Sequence, residues 1–175
     1  LQDFDPRPWW PFAEGSPWAR GPHRLNAKLD TNASAPLAAL ATLGSQPREA
    51  LAQFDGQCSL AMAPSQLAGV AVQGELLLDI RAATPLTSQC QVAGNSLSLQ
   101  ARNDIGSPGE HWQIAVQAPA LAGLAPLLAM DDELKARVPS AGRIEATATA
   151  DGQGQAWQWQ GQIKASGLSG QGYRV

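Results

Sequence analysis

The residues that could carry catalysis are few in this chain and form no recognisable constellation. Two histidines, two cysteines and one tyrosine occur among 175 residues. The spacings that mark zinc peptidases, α/β-hydrolases, P-loop proteins and dinucleotide-binding folds are absent. His23 and His111 lack the spacing of a metal site, and the acidic run 131–133 suits the solvated start of a helix. The sequence therefore predicts no catalytic, metal-binding or cofactor-binding residues and a protein that is not an enzyme.

Cys58 and Cys90 are the only thiols, and their pairing depends on the strands that carry them. We expect them on strands that flank the strand 68–81, and strands two apart lie roughly 10 Å from each other. A disulfide needs Cα atoms within about 7 Å. The spacing favours two unpaired thiols that act as small hydrophobes, while an oxidising compartment leaves a disulfide open.

Tryptophans provide two candidate binding surfaces. Trp157 and Trp159 fall on one strand face, which indicates burial in a core or interface, with sugar stacking as the alternative. Residues 1–22 are rich in proline and carry further rings at Trp9, Trp10, Phe12 and Trp18. We interpret this segment as an ordered loop whose rings cap the open end of a core; an aromatic ligand platform is the other interpretation.

Composition excludes several classes of partner. Hydrophobic residues make up 44% of the chain, charged residues only 15%, and the net charge is −3. The chain has no basic run of the kind that binds nucleic acid and no apolar stretch long enough for a membrane-spanning helix. Gln, Ser, Thr, Asn and Gly must therefore cover the surface, which suits an extended β structure.

Strict alternation of apolar and polar residues is the strongest structural signal in the chain. It predicts one side of a sheet that is continuously apolar. Turn-forming residues separate the runs, so successive strands are expected to pair antiparallel in a meander. The predicted strands lie at about 23–30, 54–62, 68–81, 86–93, 96–103, 110–118, 143–150, 156–166 and 172–175.

Three segments read as helical. The stretch 36–43 predicts a short helix with Ser34 as N-cap and Gly44 at its end, and 47–53 adds a turn. The segment 119–138 is apolar on nearly every side, so we expect it to be buried against other parts of the protein. The chain is thus mainly β, with one or two short helices.

We interpret the chain as a single fragment of a longer protein. The main sheet covers 23–118 after the loop 1–22, the apolar helical segment covers 119–138, and further strands cover 143–175. Any targeting segment is expected to lie outside it.

Several short segments of the sequence resemble segments of a known protein family. They lie at 21–27 (GPHRLNA), 60–76 (LAMAPSQLAGVAVQGEL), 92–99 (VAGNSLSL) and 117–128 (QAPALAGLAPLL). In this order they resemble the TamB proteins of proteobacteria, which belong with the AsmA-like proteins. The resemblance runs from about residue 5 to the end of the chain.

The resemblance implies an architecture and a location. TamB proteins are long periplasmic proteins with an inner-membrane anchor, and their sheet curls lengthwise into a trough (a β-taco) with an apolar concave face. They work with an outer-membrane barrel partner, TamA, in phospholipid transport, outer-membrane biogenesis and protein secretion. By this resemblance the chain is an internal, periplasmic part of the trough, with a TamA-like partner reached through the full-length protein and outer-membrane proteins as possible clients.

The leading functional hypothesis is a hydrophobic groove for phospholipid acyl chains. Burial is worth about 0.8 kcal/mol per methylene, so a chain of about 15 carbons gains roughly 10 kcal/mol without any polar contact. The same residues could instead form a closed core. The candidate lining residues are Leu60, Met62, Val70, Val72, Leu76, Leu78, Ile80, Leu97, Leu99, Ile114 and Val116.

Two alternatives to the lipid groove remain open. One is a scaffold that offers a strand edge to outer-membrane protein clients by β-augmentation. The other is a carbohydrate-binding β-sandwich that uses Trp157 and Trp159. Leu78→Arg separates groove from core, because it spares folding in the first case and unfolds the domain in the second.

Overall fold

The part of the chain that the structure describes forms one antiparallel sheet of nine strands in sequence order. The computed structural model describes residues 1–9, 19, 21–79, 81–103, 105, 109–129, 138–153, 156–170 and 173–174. The strands are β1 (Ala27–Ser34), β2 (Asp55–Leu67), β3 (Val70–Asp79), β4 (Leu86–Val92), β5 (Asn95–Arg102), β6 (His111–Ala118), β7 (Ala141–Gln153), β8 (Ala156–Gly170) and β9 (Tyr173–Arg174). Each strand pairs with the next one along the chain, so the meander is confirmed.

The sheet is open, because β1 and β9 lie at opposite edges. An open antiparallel meander is consistent with a curled trough, and the mainly β fold class is confirmed. The strands predicted at 143–150 and 156–166 join the same sheet as the earlier ones. The first extends further at both ends, and the second extends further only at its C-terminal end. The first predicted strand, 23–30, is displaced: β1 runs later, and only isolated bridges at Arg24 and Leu25 precede it.

The described helical segments are short. They comprise α1 (Leu37–Thr42), α2 (Pro47–Leu51), α3 (Ala125–Leu128), and 3-10 turns at Arg7–Trp9 and Leu121–Leu124. The predicted Ser34 cap is wrong, because Ser34 still pairs with Asp55 as the last residue of β1. Pro36 occupies the cap of α1 and makes no side-chain hydrogen bond there. Of the predicted segment 119–138, residues 130–137 lie outside the described part, including the acidic run.

Two hairpins turn through residues with positive φ. Ala68 and Gly69 have φ of 50° and 77°, and Ala93 and Gly94 have φ of 52° and 78°. Left-handed backbone at both central positions is the type I′ arrangement, whose twist matches that of the flanking strands. Both turns lie at one end of the sheet, which we name the hairpin end. At the opposite end, the helical end, α1 and α2 connect β1 to β2.

The beginning of the chain adds to the hairpin end. Phe4 forms a backbone bridge with Leu25, and the N–H of Ala68 donates to Nδ1 of the buried His23. Hydrogen bonds from Arg7 lower the pKa of the exposed Asp5 to about 2. The predicted aromatic loop falls largely on residues 10–18, which lie outside the described part.

Candidate functional site

The strand register places nearly all large apolar side chains on one face of the sheet. Directly paired residues of an antiparallel sheet point to the same side, so the pairs define rows that cross the strands. One row consists of Ala27, Met62, Gly74, Cys90, Leu97, Val116, Ala146 and Ile163. The next consists of Leu29, Leu60, Leu76, Ser88, Leu99, Ile114, Ala148 and Gly161. We name this side the apolar face and the other side the polar face.

At the helical end the apolar face is covered. Leu78, Leu86, Ala101 and Ile105 form a buried cluster there. Leu51, the last residue of α2, packs against that cluster together with Trp112 and other half-buried side chains. This end of the face is therefore an ordinary core.

At the hairpin end, the 3-10 turn Leu121–Leu124 covers the apolar face, and one asparagine side chain holds it in place. The buried Asn95 accepts a hydrogen bond from the N–H of Ala120 and donates to the carbonyl of Ala120, both at 3.1 Å. The 3-10 turn that follows contributes the buried Leu121, and a Cβ added at its Gly123 would lie 2.9 Å from Ala93 Cβ. The backbone of this turn thus rests directly on the β4–β5 hairpin.

Between the two covered ends the apolar face is open. Leu60 and Leu97 are 36% and 47% exposed, and the two rows reach Leu29 on β1 and Ile163 on β8, which are 62% and 77% exposed. Met62, Leu76, Leu99, Ile114 and Val116 are half-buried. A band of accessible apolar side chains therefore crosses the sheet from β1 to β8.

Ten of the eleven predicted lining residues are described, and their register puts all ten on the apolar face. Seven of them belong to the two rows of the open band: Leu60, Met62, Leu76, Leu97, Leu99, Ile114 and Val116. Of these, Leu76 and Leu99 also pack against the buried cluster at the helical end. Val70, Val72 and Leu78 are each only 6% exposed, so they belong to the covered core. They do not line the open band, contrary to the prediction. Ile80 lies outside the described part.

Sequence reasoning left two large apolar side chains of the open band out of the lining set, Leu29 and Ile163. The signal was present, because both continue the alternation of their strands. Their membership depends on the pairing of Leu29 with Leu60 and of Ala146 with Ile163, which the spacing of a single strand does not show.

Charged groups lie away from the open band. The ion pairs Lys28–Asp30, Arg81–Asp55 and His111–Asp151 are carried by strand positions of the polar face or by the loop after β3. The fully buried Glu110 lies at the helical end, where it accepts a hydrogen bond from the indole N–H of Trp112. The open band thus presents apolar surface without a charged group among its row members.

The tryptophan pair on β8 borders the band. The rings of Trp157 and Trp159 have centroids 6.2 Å apart and are tilted by 35°. Trp159 is 66% exposed, so the structure of this chain does not bury it in a core. Burial in an interface, the other possibility that the sequence indicated, stays a prediction. Its pairing with Ala150 places it on the apolar face.

The two thiols are free and also lie on the apolar face. Cys58 faces Leu78 near the helical end, and Cys90 faces Gly74 within the open band. They occupy β2 and β4, on either side of β3, as predicted from the spacing.

The polar face has shallow clefts of a different chemistry. One of about 590 Å³ is lined by amide and charged side chains such as Gln73, Glu75 and Gln91, and also by apolar ones such as Leu1 and Met62. Its lining is therefore mixed, unlike the rows of the open band.

Comparison with known proteins adds no relative. No protein-family model matches the chain, and neither a curated protein nor a solved structure matches it. Within the described residues, no group of three or more His, Cys, Asp or Glu side chains could hold a metal ion. No helix in that part of the chain is both long and apolar enough to cross a bilayer.

Proposed function

We propose that the open band of the apolar face holds lipid acyl chains, and that the chain is a segment of a lipid carrier between two membranes. The observation that carries this proposal is the band itself, with Leu29, Leu60, Leu97 and Ile163 accessible between two covered ends. The same proposal places the chain in the periplasm, with a TamA-like partner and a role in outer-membrane assembly. The resemblance to the TamB proteins supports these parts of the proposal.

The size of the band suits a flexible hydrocarbon chain. Eight strands give seven spacings of about 4.8 Å, so the rows extend for roughly 34 Å. Each buried methylene contributes about 0.8 kcal/mol, and contact with one open face realises a part of that. Such binding needs no polar anchor, which agrees with a band whose row members carry no charge.

A band of this extent is unusual for a face that has no occupant. Monomeric soluble proteins rarely expose continuous apolar patches larger than a few hundred Å². The covers contributed by α2 and the 3-10 turn leave the middle of the sheet accessible. Capture of acyl chains would account for the exposure between the two covered ends.

The test uses Cys90 as a probe inside the band. A Cys58→Ser chain is delipidated, incubated with palmitate or with vesicles of dioleoylphosphatidylcholine, and examined by native mass spectrometry and by the rate of maleimide labelling. We expect a bound-lipid mass and at least threefold slower labelling of Cys90. A lipid-free mass together with an unchanged labelling rate would overturn the proposal.

A matched control excludes a general effect of lipid on thiol reactivity. A Cys58→Ser, Cys90→Ser chain with Gln89→Cys carries its thiol on the polar face of the same strand. Its labelling rate should not change with palmitate. Equal protection at both positions would point to aggregation instead of groove binding.

A further inference from the structure

The connection between β1 and β2 turns leucines outward instead of burying them. In its first helix, α1, Ala39 is fully buried, while Leu37 and Leu40 are 86% and 52% exposed. Leu43, directly after the helix, is 39% exposed. Successive helix residues are about 100° apart, so Leu37 lies roughly 160° from Ala39, Leu40 roughly 100° and Leu43 roughly 40°. A surface helix ordinarily turns its large apolar side chains inward, and α1 does the reverse. We name Leu37, Leu40 and Leu43 the leucine patch.

The surroundings of the leucine patch carry no charge, and their hydroxyls are already bonded. The stretch 31–47 contains no charged residue, although 15% of the whole chain is charged. Thr42 is the one polar side chain of α1, and its hydroxyl donates to the carbonyls of Ala38 and Ala39 at 3.1 and 3.2 Å. The hydroxyl of Ser45 donates to the carbonyl of Thr42 at 3.3 Å. Hydroxyls that are bonded within the loop lose little when water is removed from around them.

The leucine patch is anchored from its inner side. α1 packs against α2, whose Ala50 is fully buried and whose Leu51 packs against the core at the helical end. Ala39 is the matching buried position of α1. The patch therefore projects from a supported helix at the helical end, and none of its members belongs to the rows of the open band.

We propose that the leucine patch inserts into the boundary between headgroups and acyl chains of a lipid bilayer and holds the helical end on a membrane surface. Three leucine side chains offer at most a few hundred Å² of apolar surface. A stable interface between two proteins buries about 800 Å² of each partner, so the patch is too small for a second copy or another protein. A bilayer needs no complementary surface, and binding to it scales with the apolar area that enters it.

Flotation with vesicles of dioleoylphosphatidylcholine, at about 1 mM lipid, provides the first test. We expect the parent chain to float with the vesicles equally well at low and high salt, because no charge takes part. Leu37→Ser with Leu40→Ser should weaken this binding at least tenfold. Leu1→Ser with Leu77→Ser removes leucines that are 72% and 38% exposed elsewhere and should change it less than twofold. A parent chain that stays unbound, or equal losses in the two double variants, would overturn the proposal.

A fluorescent probe tests whether α1 itself enters the bilayer. In a Cys58→Ser, Cys90→Ser background, Ala41→Cys carries the dye NBD on the outward side of α1, roughly 40° from Leu37. Its emission should shift to the blue with vesicles and be quenched by lipids that are spin-labelled near the headgroup. The same dye at Glu49→Cys, an exposed position of α2, should respond to neither. Equal responses at both positions would refute insertion through the leucine patch.

Two further variants separate this contact from the proposed acyl-chain groove. Leu37→Ser with Leu40→Ser should capture palmitate like the parent chain, and Leu97→Arg should still float with vesicles. Vesicle binding that Leu97→Arg abolishes and the leucine-patch variant keeps would assign the contact to the open band and overturn the proposal. A lipid-free dimer that the leucine-patch variant dissociates in sedimentation velocity would overturn it as well, since a second copy would then cover the patch.

Discussion

At the scale of single residues, the role of a leucine on the apolar face depends on its position along its strand. Leu78 and Leu97 both point to this face, yet Leu78 is 6% exposed and Leu97 is 47% exposed. Leu78 lies at the helical end among Leu86, Ala101 and Ile105, while Leu97 lies in the open band. The same residue type therefore serves the core in one place and the candidate groove in the other.

Leu97→Arg should abolish acyl-chain binding and leave folding nearly unchanged. The guanidinium can reach water from this exposed position, so we expect the free energy of unfolding to change by less than about 1 kcal/mol. The charge lies in the middle of the open band and opposes a hydrocarbon ligand. Palmitate binding by native mass spectrometry and urea denaturation measure the two effects. Ser98→Arg, on the polar face of the same strand, is the control and should bind palmitate normally.

Leu78→Arg should instead unfold the protein. A charge in the closed cluster has no partner among its apolar neighbours, and such a change costs on the order of 3–5 kcal/mol. We expect loss of the cooperative urea transition, measured by tryptophan fluorescence. A variant that stays folded with parent-like stability would show that the helical end is open and would contradict its assignment as core.

At the scale of elements, the covers at the two ends define the width of the open band. α2 brings Leu51 to the helical end, and the 3-10 turn brings Leu121 to the hairpin end. The second cover is held by Asn95, whose side chain bonds both backbone groups of Ala120. The close approach of Gly123 to Ala93 shows why this turn contains glycine.

Gly123→Ala should loosen the cover at the hairpin end. The added methyl would lie 2.9 Å from Ala93 Cβ, so the turn or the hairpin must shift. Overpacking of this kind costs about 1–3 kcal/mol. We expect a lower urea midpoint and stronger fluorescence of the dye ANS, because more of the apolar face becomes accessible.

Gly44→Ala provides the matched control for that change. A Cβ at Gly44 would meet no atom within 4 Å. This variant should keep the urea midpoint and the ANS fluorescence of the parent chain. Equal losses in both variants would indicate a general sensitivity to glycine replacement and not a specific contact at Gly123.

At the scale of the whole molecule, strand order sets the distances between groups that share a face. Each strand pairs with its neighbour in sequence, so β2 and β4 are separated by β3 throughout. Cys58 and Cys90 therefore lie about 10 Å apart or more, which is the width of two strand spacings. The placement of β1 and β9 at the two edges of the sheet is a further consequence of the same order.

Mild oxidation should not join Cys58 to Cys90 within one chain. Two strand spacings exceed the Cα separation of about 7 Å that a disulfide tolerates. We expect two reactive thiols per chain after treatment with diamide and denaturation, counted with Ellman's reagent. Loss of both thiols in a species of monomer mass would contradict the strand order.

Much of this architecture follows from local pattern. Alternation located the strands, and Gly94 fell between two of the predicted ones, where the chain turns. The turn between β2 and β3 was misplaced, because residues 63–67, left out of the predicted strands, belong to β2 and the chain turns at Ala68 and Gly69. Pro64 favours a break, but the strand accommodates it where the register shifts between Met62 and Ser65. The end of β1 was missed because Ser34 is a good helix cap in isolation, whereas pairing with Asp55 keeps it in the strand. The aromatic loop prediction remains untested, since residues 10–18 lie outside the described part.

The sequence by itself determined which side chains share a face, because a period of two separates the two sides of any strand. Where a short turn joins two strands, it also indicated that they pair antiparallel. Long connections join β1 to β2 and β6 to β7, so the tertiary structure decided the pairing of those strands. Only the tertiary structure decided which part of the apolar face is covered. The covered part depends on where Leu51 and Leu121 pack. A local sequence pattern cannot predict this, because these residues contact segments that are far away in the chain.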